Sequence, residues 1–252
     1  MKGLAGKSII VTGGGSGIGE AVARLLGEAG CRVTVADRNA EAAEASASAI
    51  CAAGGEAQAV TTDVSQEADV RAMVDAAIAT YGTLDGACNA AGVAQTGKLL
   101  HEVTLEDWDR CHGVNLRGLF LCNKYQVAAM LERKGGAIVN IASTAAMVGF
   151  PNGSEYCASK AGVMGLVRGG AIDYATRGIR INAVLPGGTL TPMLKSAMAA
   201  DPGLEPALAA VHPMNRFAQP QEIAGAARWL LSDEASFVTG TSFAIDGGHT
   251  SI

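Results

Sequence analysis

The sequence predicts one α/β domain over residues 1–252, built on a doubly wound parallel sheet of seven strands flanked by helices. Short β-branched runs alternate with helical stretches of about 12–16 residues, which is the pattern of βαβ units. A glycine-rich turn links the first strand to the first helix. The 33 glycines among 252 residues exceed the usual share of about 7% and favour many tight connections.

The first half of the chain contains four predicted strands and the helices between them. The run 8–12 is β-branched and ends in glycines, which is typical of a buried strand. Further strands are predicted over 32–36, 57–62 and 84–88, and helices over 39–53 and 66–80. The carboxyl ends of parallel strands share one edge of the sheet, so we expect the ligand site there.

The second half continues the alternation. A helical period runs through 103–125, strands are predicted over 135–142, 179–184 and 242–245, and helices over about 154–176 and 220–231. The segment 188–214 has little strand or helix signal, and Pro202, Pro206 and Pro213 interrupt it. Long, weakly structured segments of compact domains often cover a ligand, so we expect a substrate loop there.

The turn after the first strand is a candidate phosphate site. Its spacing is G-x-x-x-G-x-G, and it lies between a strand and a helix. Backbone N–H groups and a helix N-terminus contact a pyrophosphate only where no Cβ intervenes. The alternative is a merely tight connection. The cofactor-binding candidates in this turn are Gly13, Ser16, Gly17, Ile18 and Gly19.

The end of the second strand indicates which dinucleotide would bind. Asp37 stands eighteen residues after Gly19, where a carboxylate accepts hydrogen bonds from the adenosine ribose and repels a 2′-phosphate. This favours NAD over NADP. Arg38 is an opposing signal because a guanidinium pairs with phosphate, but position 16 is serine and not a basic residue.

Two later strand ends supply further cofactor candidates. Asp63 and Val64 end the third strand, where a carboxylate could reach the adenine. The fourth strand opens into Asn89, Ala90 and, two positions on, Gly92, where small residues let the backbone pass close to the middle of the cofactor.

The candidate proton-transfer group is the pair Tyr156 and Lys160. Four residues apart on a predicted helix, the two side chains share one face. The ammonium would stabilise the phenolate and bring the tyrosine pKa toward the working pH. Ser143 ends the fifth strand, where its hydroxyl could bind an oxygen shared with Tyr156. Taken alone, a Tyr/Lys pair is common on solvated helix faces, and Asn115 among apolar neighbours is typical of a structural polar group.

Composition argues against several classes of protein. The net charge is −5 and no lysine or arginine block occurs, which argues against nucleic acid. Six cysteines without C-x-x-C spacing and four unclustered histidines predict no metal site and a reducing, cytoplasmic setting. No leader-type apolar core occurs at the N-terminus, and polar residues and glycines break the uncharged stretch 135–154, so we expect no membrane segment. Cys157 is turned about 100° from the Tyr/Lys face and is a poor nucleophile candidate.

Taken in order, these motifs resemble the short-chain dehydrogenase/reductase family across essentially the whole chain. The matching positions are Thr12 to Gly19, Asn89 to Gly92, Asn115, Ser143, Tyr156 with Lys160, and Pro186 with Gly187. The resemblance implies a Rossmann domain, hydride transfer between a nicotinamide and a secondary alcohol or ketone, and a homotetramer with contacts through residues 238–248. Two departures are Ala90 in place of the family's second asparagine and Thr189 in place of a bulky aliphatic residue.

The resemblance also implies a role for each matching residue. Ser143 would polarise the substrate oxygen, Tyr156 would be the general acid/base, and Lys160 would lower its pKa and bind the nicotinamide ribose. Asn115 would hold a water in a proton relay, which reverses the structural interpretation above. The expected cofactor contacts near the nicotinamide are Tyr156, Lys160, Pro186, Gly187, Thr189, Thr191 and Met193.

The substrate is the least constrained prediction. An apolar lining predicts an uncharged, moderately hydrophobic alcohol or ketone, from Phe150, Leu190, Met193, Leu194 and Met198. Several of these could simply pack the domain. Residues 191–194, 203–206, 212–213 and 229–233 resemble relatives that oxidise cyclic diols. The alternatives are an NADP-linked 3-oxoacyl-thioester reductase, which the acidic balance and Asp37 disfavour, and an NAD-binding sensor without turnover.

Overall fold

Seven parallel strands form one sheet in the order β3-β2-β1-β4-β5-β6-β7 in the computed structural model, which describes residues 1–133, 135–200 and 204–251. This confirms the predicted doubly wound α/β fold. The strands β1 to β7 are Ser8–Thr12, Arg32–Asp37, Glu56–Thr61, Gly86–Asn89, Gly136–Ile141, Ile179–Pro186 and Ser242–Ile245.

Helices cover both faces of the sheet. A π-helical turn, Gly113–Gly118, joins the helix Leu105–His112 (α4) to the helix Leu119–Glu132 (α5). The predicted helical run 103–125 therefore continues to Glu132 with an irregular turn inside it. None of the described helices is long and apolar enough to cross a bilayer. The helices α1 to α9 are Gly17–Glu28, Ala40–Ala52, Glu67–Tyr81, Leu105–His112, Leu119–Glu132, Ser154–Tyr174, Pro192–Ala200, Leu204–Ala210 and Pro220–Leu231.

Two apolar cores lie on opposite faces of the sheet. Successive side chains of a strand point to opposite faces, and β1 shows this: Val11 packs with α1, α2 and α9, whereas Ile10 packs with α3, α5 and α6. Burial on both faces explains why the strands are continuous apolar runs. The strand order reverses direction between β1 and β4, and this switch point opens a crevice at the carboxyl edge.

The segment 188–214 is more helical than its sequence predicts. It contains α7, which begins at Pro192, and α8, in which Pro206 occupies the first turn. Proline is tolerated there because the N–H groups of a first turn have no intrahelical acceptor. The expectation of little regular structure was wrong because Pro206 lies at the start of a helix and does not interrupt one, and Pro213 follows the end of α8. Residues 201–203 of the predicted loop lie outside the described residues.

A ladder of buried amides ties the middle of the sheet to α5. Asn89 on β4 donates to Gln126 (2.9 Å) and to Asn140 on β5 (3.0 Å), and Gln126 donates back to Asn89 (2.8 Å). Asn123 on α5 donates to the same Asn140 oxygen at 2.9 Å. All four side chains are buried, so the network fixes β4 and β5 beneath the crevice.

Candidate active site

A cleft of about 510 Å³ follows the carboxyl edge of the sheet. Most of the site residues predicted from sequence line this one cleft, although they come from strand ends and helices far apart in the chain. The predicted residues that line it are Gly13, Ser16, Gly17, Ile18, Gly19, Asp37, Arg38, Asp63, Val64, Ala90, Gly92, Ser143, Tyr156, Lys160, Pro186, Gly187, Thr189, Thr191 and Met193.

The glycine turn at the end of β1 fits a phosphate group. Gly13 and Gly17 have φ angles of 65° and 57°, which disfavour other residues, and a Cβ at Gly13 would lie 2.8 Å from the Ala91 nitrogen. Ser16 is the N-cap of α1, but its hydroxyl makes no capping hydrogen bond. No described side chain accepts from the first-turn N–H groups of α1, so these groups are available to an anion.

Asp37 is held at the rim of this turn by two backbone groups. One carboxylate oxygen accepts from the Gly15 N–H and the other from the Asn39 N–H, both at 3.0 Å. Each oxygen keeps a further lone pair for a ligand hydroxyl. Arg38, the next residue, is exposed beside it.

Asp63 lines the same end of the cleft, where its Oδ1 accepts from the backbone N–H (2.9 Å) and the hydroxyl (2.7 Å) of Ser65. The carboxylate is thus anchored to the start of the β3–α3 connection. Val64 beside it is buried and also lines the cleft.

The side chain of Asn89 is directed into the protein and not toward the cleft. Its amide bonds Gln126 and Asn140 in the buried ladder, and the cleft wall at this point is formed by residues 90–92. The Asn89 amide therefore has a structural role, and the predicted approach of the backbone at this position to the cofactor stays a prediction. Residues at the end of a strand alternate between faces, and the sequence did not show on which face this amide lies.

Asn115 holds a loop with both ends of its amide. Its oxygen accepts from the Val93 N–H at 2.8 Å, and its nitrogen donates to the Val93 carbonyl at 3.0 Å. The side chain is buried in the π-helical turn and is not among the described residues that line the cleft. The amide thus fixes the Gly92–Val93 backbone, and the relay role remains a prediction.

Tyr156 and Lys160 lie side by side near the start of α6. The Lys160 ammonium is 5.6 Å from the centre of the Tyr156 ring and donates to the Ile141 carbonyl at 3.1 Å. Lys160 is only 4% exposed, whereas Tyr156 is half-buried and faces the cleft. Ser143 follows the end of β5, and its hydroxyl accepts from the Ala145 N–H at 3.1 Å.

Burial decides the electrostatics of this pair. It raises the pKa of Tyr156 to about 12, and a hydrogen bond with Ser143 offsets only part of that rise. Burial also lowers the pKa of Lys160 to about 8. The expected lowering of the tyrosine pKa by the ammonium is therefore corrected for this structure, because desolvation of the phenolate is the larger effect.

The substrate half of the cleft is mostly apolar. Phe150, Met193 and Leu194 line it as predicted, whereas Leu190 and Met198 are not among the described lining residues. Sequence patterns did not mark the others, because they come from the loop after β4, from α8 and from the segments after α8 and β7. The additional lining residues are Gln95, Leu208, Val211, His212, Phe217 and His249.

His212 fastens the segment after α8 to the end of β6. Its Nε2 accepts from the Gly188 N–H and its Nδ1 donates to the Leu208 carbonyl, each at 2.9 Å. A backbone N–H needs an acceptor, so the proton is on Nδ1. With 5% of its surface exposed, His212 has both nitrogens engaged inside the protein.

Known proteins resemble this chain in sequence and fold. A family model described as enoyl-(acyl carrier protein) reductase matches residues 13–250. A 2,5-dichloro-2,5-cyclohexadiene-1,4-diol dehydrogenase of Sphingobium indicum is 52% identical over 253 residues, which cover 100% of each chain. A cyclohexanol dehydrogenase of an Acinetobacter species is 42% identical over 245 residues, covering 97% of this chain and 95% of that one. The crystal structure of levodione reductase superimposes with a TM-score of 0.95 at 37% identity, covering 98% of each chain.

The fold, the cleft and these relatives define the class: an oxidoreductase that acts on alcohol groups with a nicotinamide cofactor. The chain belongs to the short-chain dehydrogenase/reductase family, as its motifs predicted.

Proposed function

We propose that the protein oxidises a cyclic, moderately hydrophobic secondary alcohol with NAD⁺ and reduces the corresponding ketone with NADH. The observation that carries the proposal is the position of Ser143, Tyr156 and Lys160, which line one cleft between the glycine turn and an apolar half. The names of two relatives support a cyclic substrate: one is a cyclohexadiene diol dehydrogenase and the other a cyclohexanol dehydrogenase.

The side chains of the cleft bind the alcohol oxygen and move its proton. Ser143 donates a hydrogen bond to the oxygen, and Tyr156 accepts the hydroxyl proton as the carbonyl forms. Bound NAD⁺ supplies the acceptor for the hydride. Lys160, 5.6 Å from the phenol ring, stabilises the phenolate as it forms. Because burial raises the pKa of Tyr156, the phenol must release its own proton before it can accept one from the alcohol, and alcohol oxidation should speed up as pH rises.

Asp37 supports the choice of NAD over NADP. Its carboxylate is fixed at the end of β2 by two backbone N–H groups and would repel a 2′-phosphate. The measurement is kcat/KM with each cofactor on one cyclic alcohol, followed at 340 nm. Equal values, or higher ones with NADP⁺, would show that Arg38 outweighs Asp37.

The role of Tyr156 is tested by Tyr156→Phe. We expect turnover to fall by at least about 10²-fold, the usual contribution of a positioned acid/base, while NADH binds as in the wild type. Tyr125→Phe is the matched control, since the Tyr125 hydroxyl binds Glu67 on the surface. Turnover of Tyr156→Phe at the wild-type rate would remove Tyr156 from the mechanism.

The two alternatives give different results in the same assays. An acyl-thioester reductase would use NADPH on a 3-oxoacyl thioester and ignore cyclic alcohols. A sensor would bind NADH without turning over any alcohol or ketone. Oxidation of a cyclic alcohol by the wild type contradicts the sensor, and the cofactor comparison separates the two enzymes.

A homotetramer in the cytoplasm completes the proposal. Phe120 on α5 is half-exposed, Ile172 on α6 is 80% exposed, and Phe237 beside the predicted 238–248 contact segment is fully exposed. Contiguous exposed apolar patches mark subunit interfaces, and we propose that these side chains contribute to such patches. The six thiols are free, which fits a reducing compartment. Light scattering on the eluting protein measures the subunit number.

A further inference from the structure

His249 is a hydrogen-bonding group in the apolar half of the cleft that the proton-transfer residues do not use. It lines the cleft from the short C-terminal turn that follows β7. Its Nδ1 is buried, and neither imidazole nitrogen makes a hydrogen bond with any described residue of the chain. A buried polar atom without a partner is rare in folded proteins, so this one indicates a ligand group.

The ring of His249 is held in place by its surroundings. Phe150 meets it edge-to-face with ring centres 5.9 Å apart, and His212 lies 5.3 Å away. The turn that carries it is anchored by Asp246, whose carboxylate accepts from the Gly248 N–H at 3.0 Å and from the Thr250 N–H at 2.9 Å. The imidazole is therefore an oriented group and not a freely rotating surface side chain.

The other polar side chains of this half are less suited to select a substrate. His212 has both nitrogens engaged with Gly188 and Leu208. Gln95 lines the cleft but is exposed, so water competes for its amide. Phe150, Leu208 and Phe217 around them offer only apolar contact. His249 is thus the polar group best placed to recognise a second oxygen on the substrate.

We infer that His249 binds a second oxygen of the substrate, so that the preferred ring carries a hydroxyl or carbonyl besides the alcohol that is oxidised. The inference rests on the proposed function and names the substrate class for the same cleft. A buried hydrogen-bonding group disfavours a substrate that leaves it unpaired. His249 therefore favours a ring with a second polar substituent, while the rest of that ring packs on the apolar walls.

The test compares cyclohexanol with cyclohexane-1,4-diol, which differ in the second oxygen. We expect the wild type to prefer the diol in kcat/KM. His249→Phe keeps the aromatic contact with Phe150 and should lower that preference about tenfold, the effect of losing one ordinary neutral hydrogen bond, with cyclohexanol little changed. His249→Gln, which keeps a donor and an acceptor, should retain part of the preference. His101→Phe, on an exposed turn outside the cleft, is the matched control and should keep all of it.

Three results would overturn the inference: no diol preference in the wild type, the same preference in His249→Phe, or an equal fall on both alcohols in that variant. NADH affinity, measured for each variant, reports whether the cofactor half is intact. Failure of the wild type to oxidise either alcohol would refute the proposed function instead, so the two failures are distinguishable.

Discussion

Removing the ammonium of Lys160 tests whether burial is the main cause of the pKa change of this lysine. The folded-state pKa of Lys160 is about 8, below its ordinary value of 10.5. Between these two values the unfolded chain binds more protons than the folded chain, so the free energy of unfolding rises with pH. The slope reaches about 1.4 kcal/mol per pH unit. Below pH 8 both states are protonated, and the folded state bears the full cost of the buried charge.

Lys160→Met removes this titration and keeps a side chain of similar length. From pH 7 to pH 9.5 the wild type should gain about 2 kcal/mol relative to the variant, which is the shift accumulated between the folded pKa near 8 and pH 9.5. Tyr156 does not interfere. Its folded pKa is raised from 10 to about 12, so the stability it contributes is complete below pH 10 and is lost only above that value.

The assay is urea unfolding of both proteins without cofactor, at one protein concentration, at pH 7, 8.5 and 9.5. Lys2→Met, a substitution of an exposed lysine at the N-terminus, controls for the general loss of a positive charge. Parallel stability profiles of the wild type and Lys160→Met over this range would refute the conclusion that burial lowers the lysine pKa.

Two further substitutions test how the site is supported. Asn140→Ala should lower the free energy of unfolding by about 2–4 kcal/mol in urea unfolding, because Asn89 and Asn123 each lose one acceptor and the buried Asn123 oxygen loses its donor. Asn39→Ala, at an exposed helix cap, should cost only about 1 kcal/mol. His212→Leu should raise KM for the alcohol about tenfold, because Gly188 loses its acceptor, and His212→Gln should restore part of the loss. Equal costs of the two asparagine changes, or an unchanged KM for the alcohol in His212→Leu, would contradict these roles.

The strands, the glycine turn and the Tyr/Lys pair were predictable because each is a local pattern. A β-branched run ending in glycines identifies β1, and spacing of four on a helix places Tyr156 beside Lys160. The parallel sheet then brings distant strand ends to one edge, which is why Asp37 and Ser143 could be assigned to one cleft from the sequence.

Properties that depend on tertiary surroundings were not predictable in the same way. Asn89 and Asn115 are polar residues beside the cleft, but packing decides that their amides bond inward to Gln126 and to the Val93 backbone. The sign of the Tyr156 pKa change also depends on burial, which no spacing rule contains.

The residues proposed for proton transfer lie close together in the chain, whereas the residues that line the apolar half of the cleft come from distant segments. Tyr156 and Lys160 share α6 and Ser143 follows the end of β5, so one short region carries the residues proposed for proton transfer. The apolar half is assembled from segments as far apart in the chain as Gln95 and His249. Side chains from those segments line the cleft away from the residues proposed for proton transfer, so we expect substitutions there to change the preferred ring more than the proton transfer. Relatives at 52% and 42% identity carry the names of different cyclic alcohols. Position 249 therefore tests the proposed substrate more directly than Tyr156 or Lys160 does.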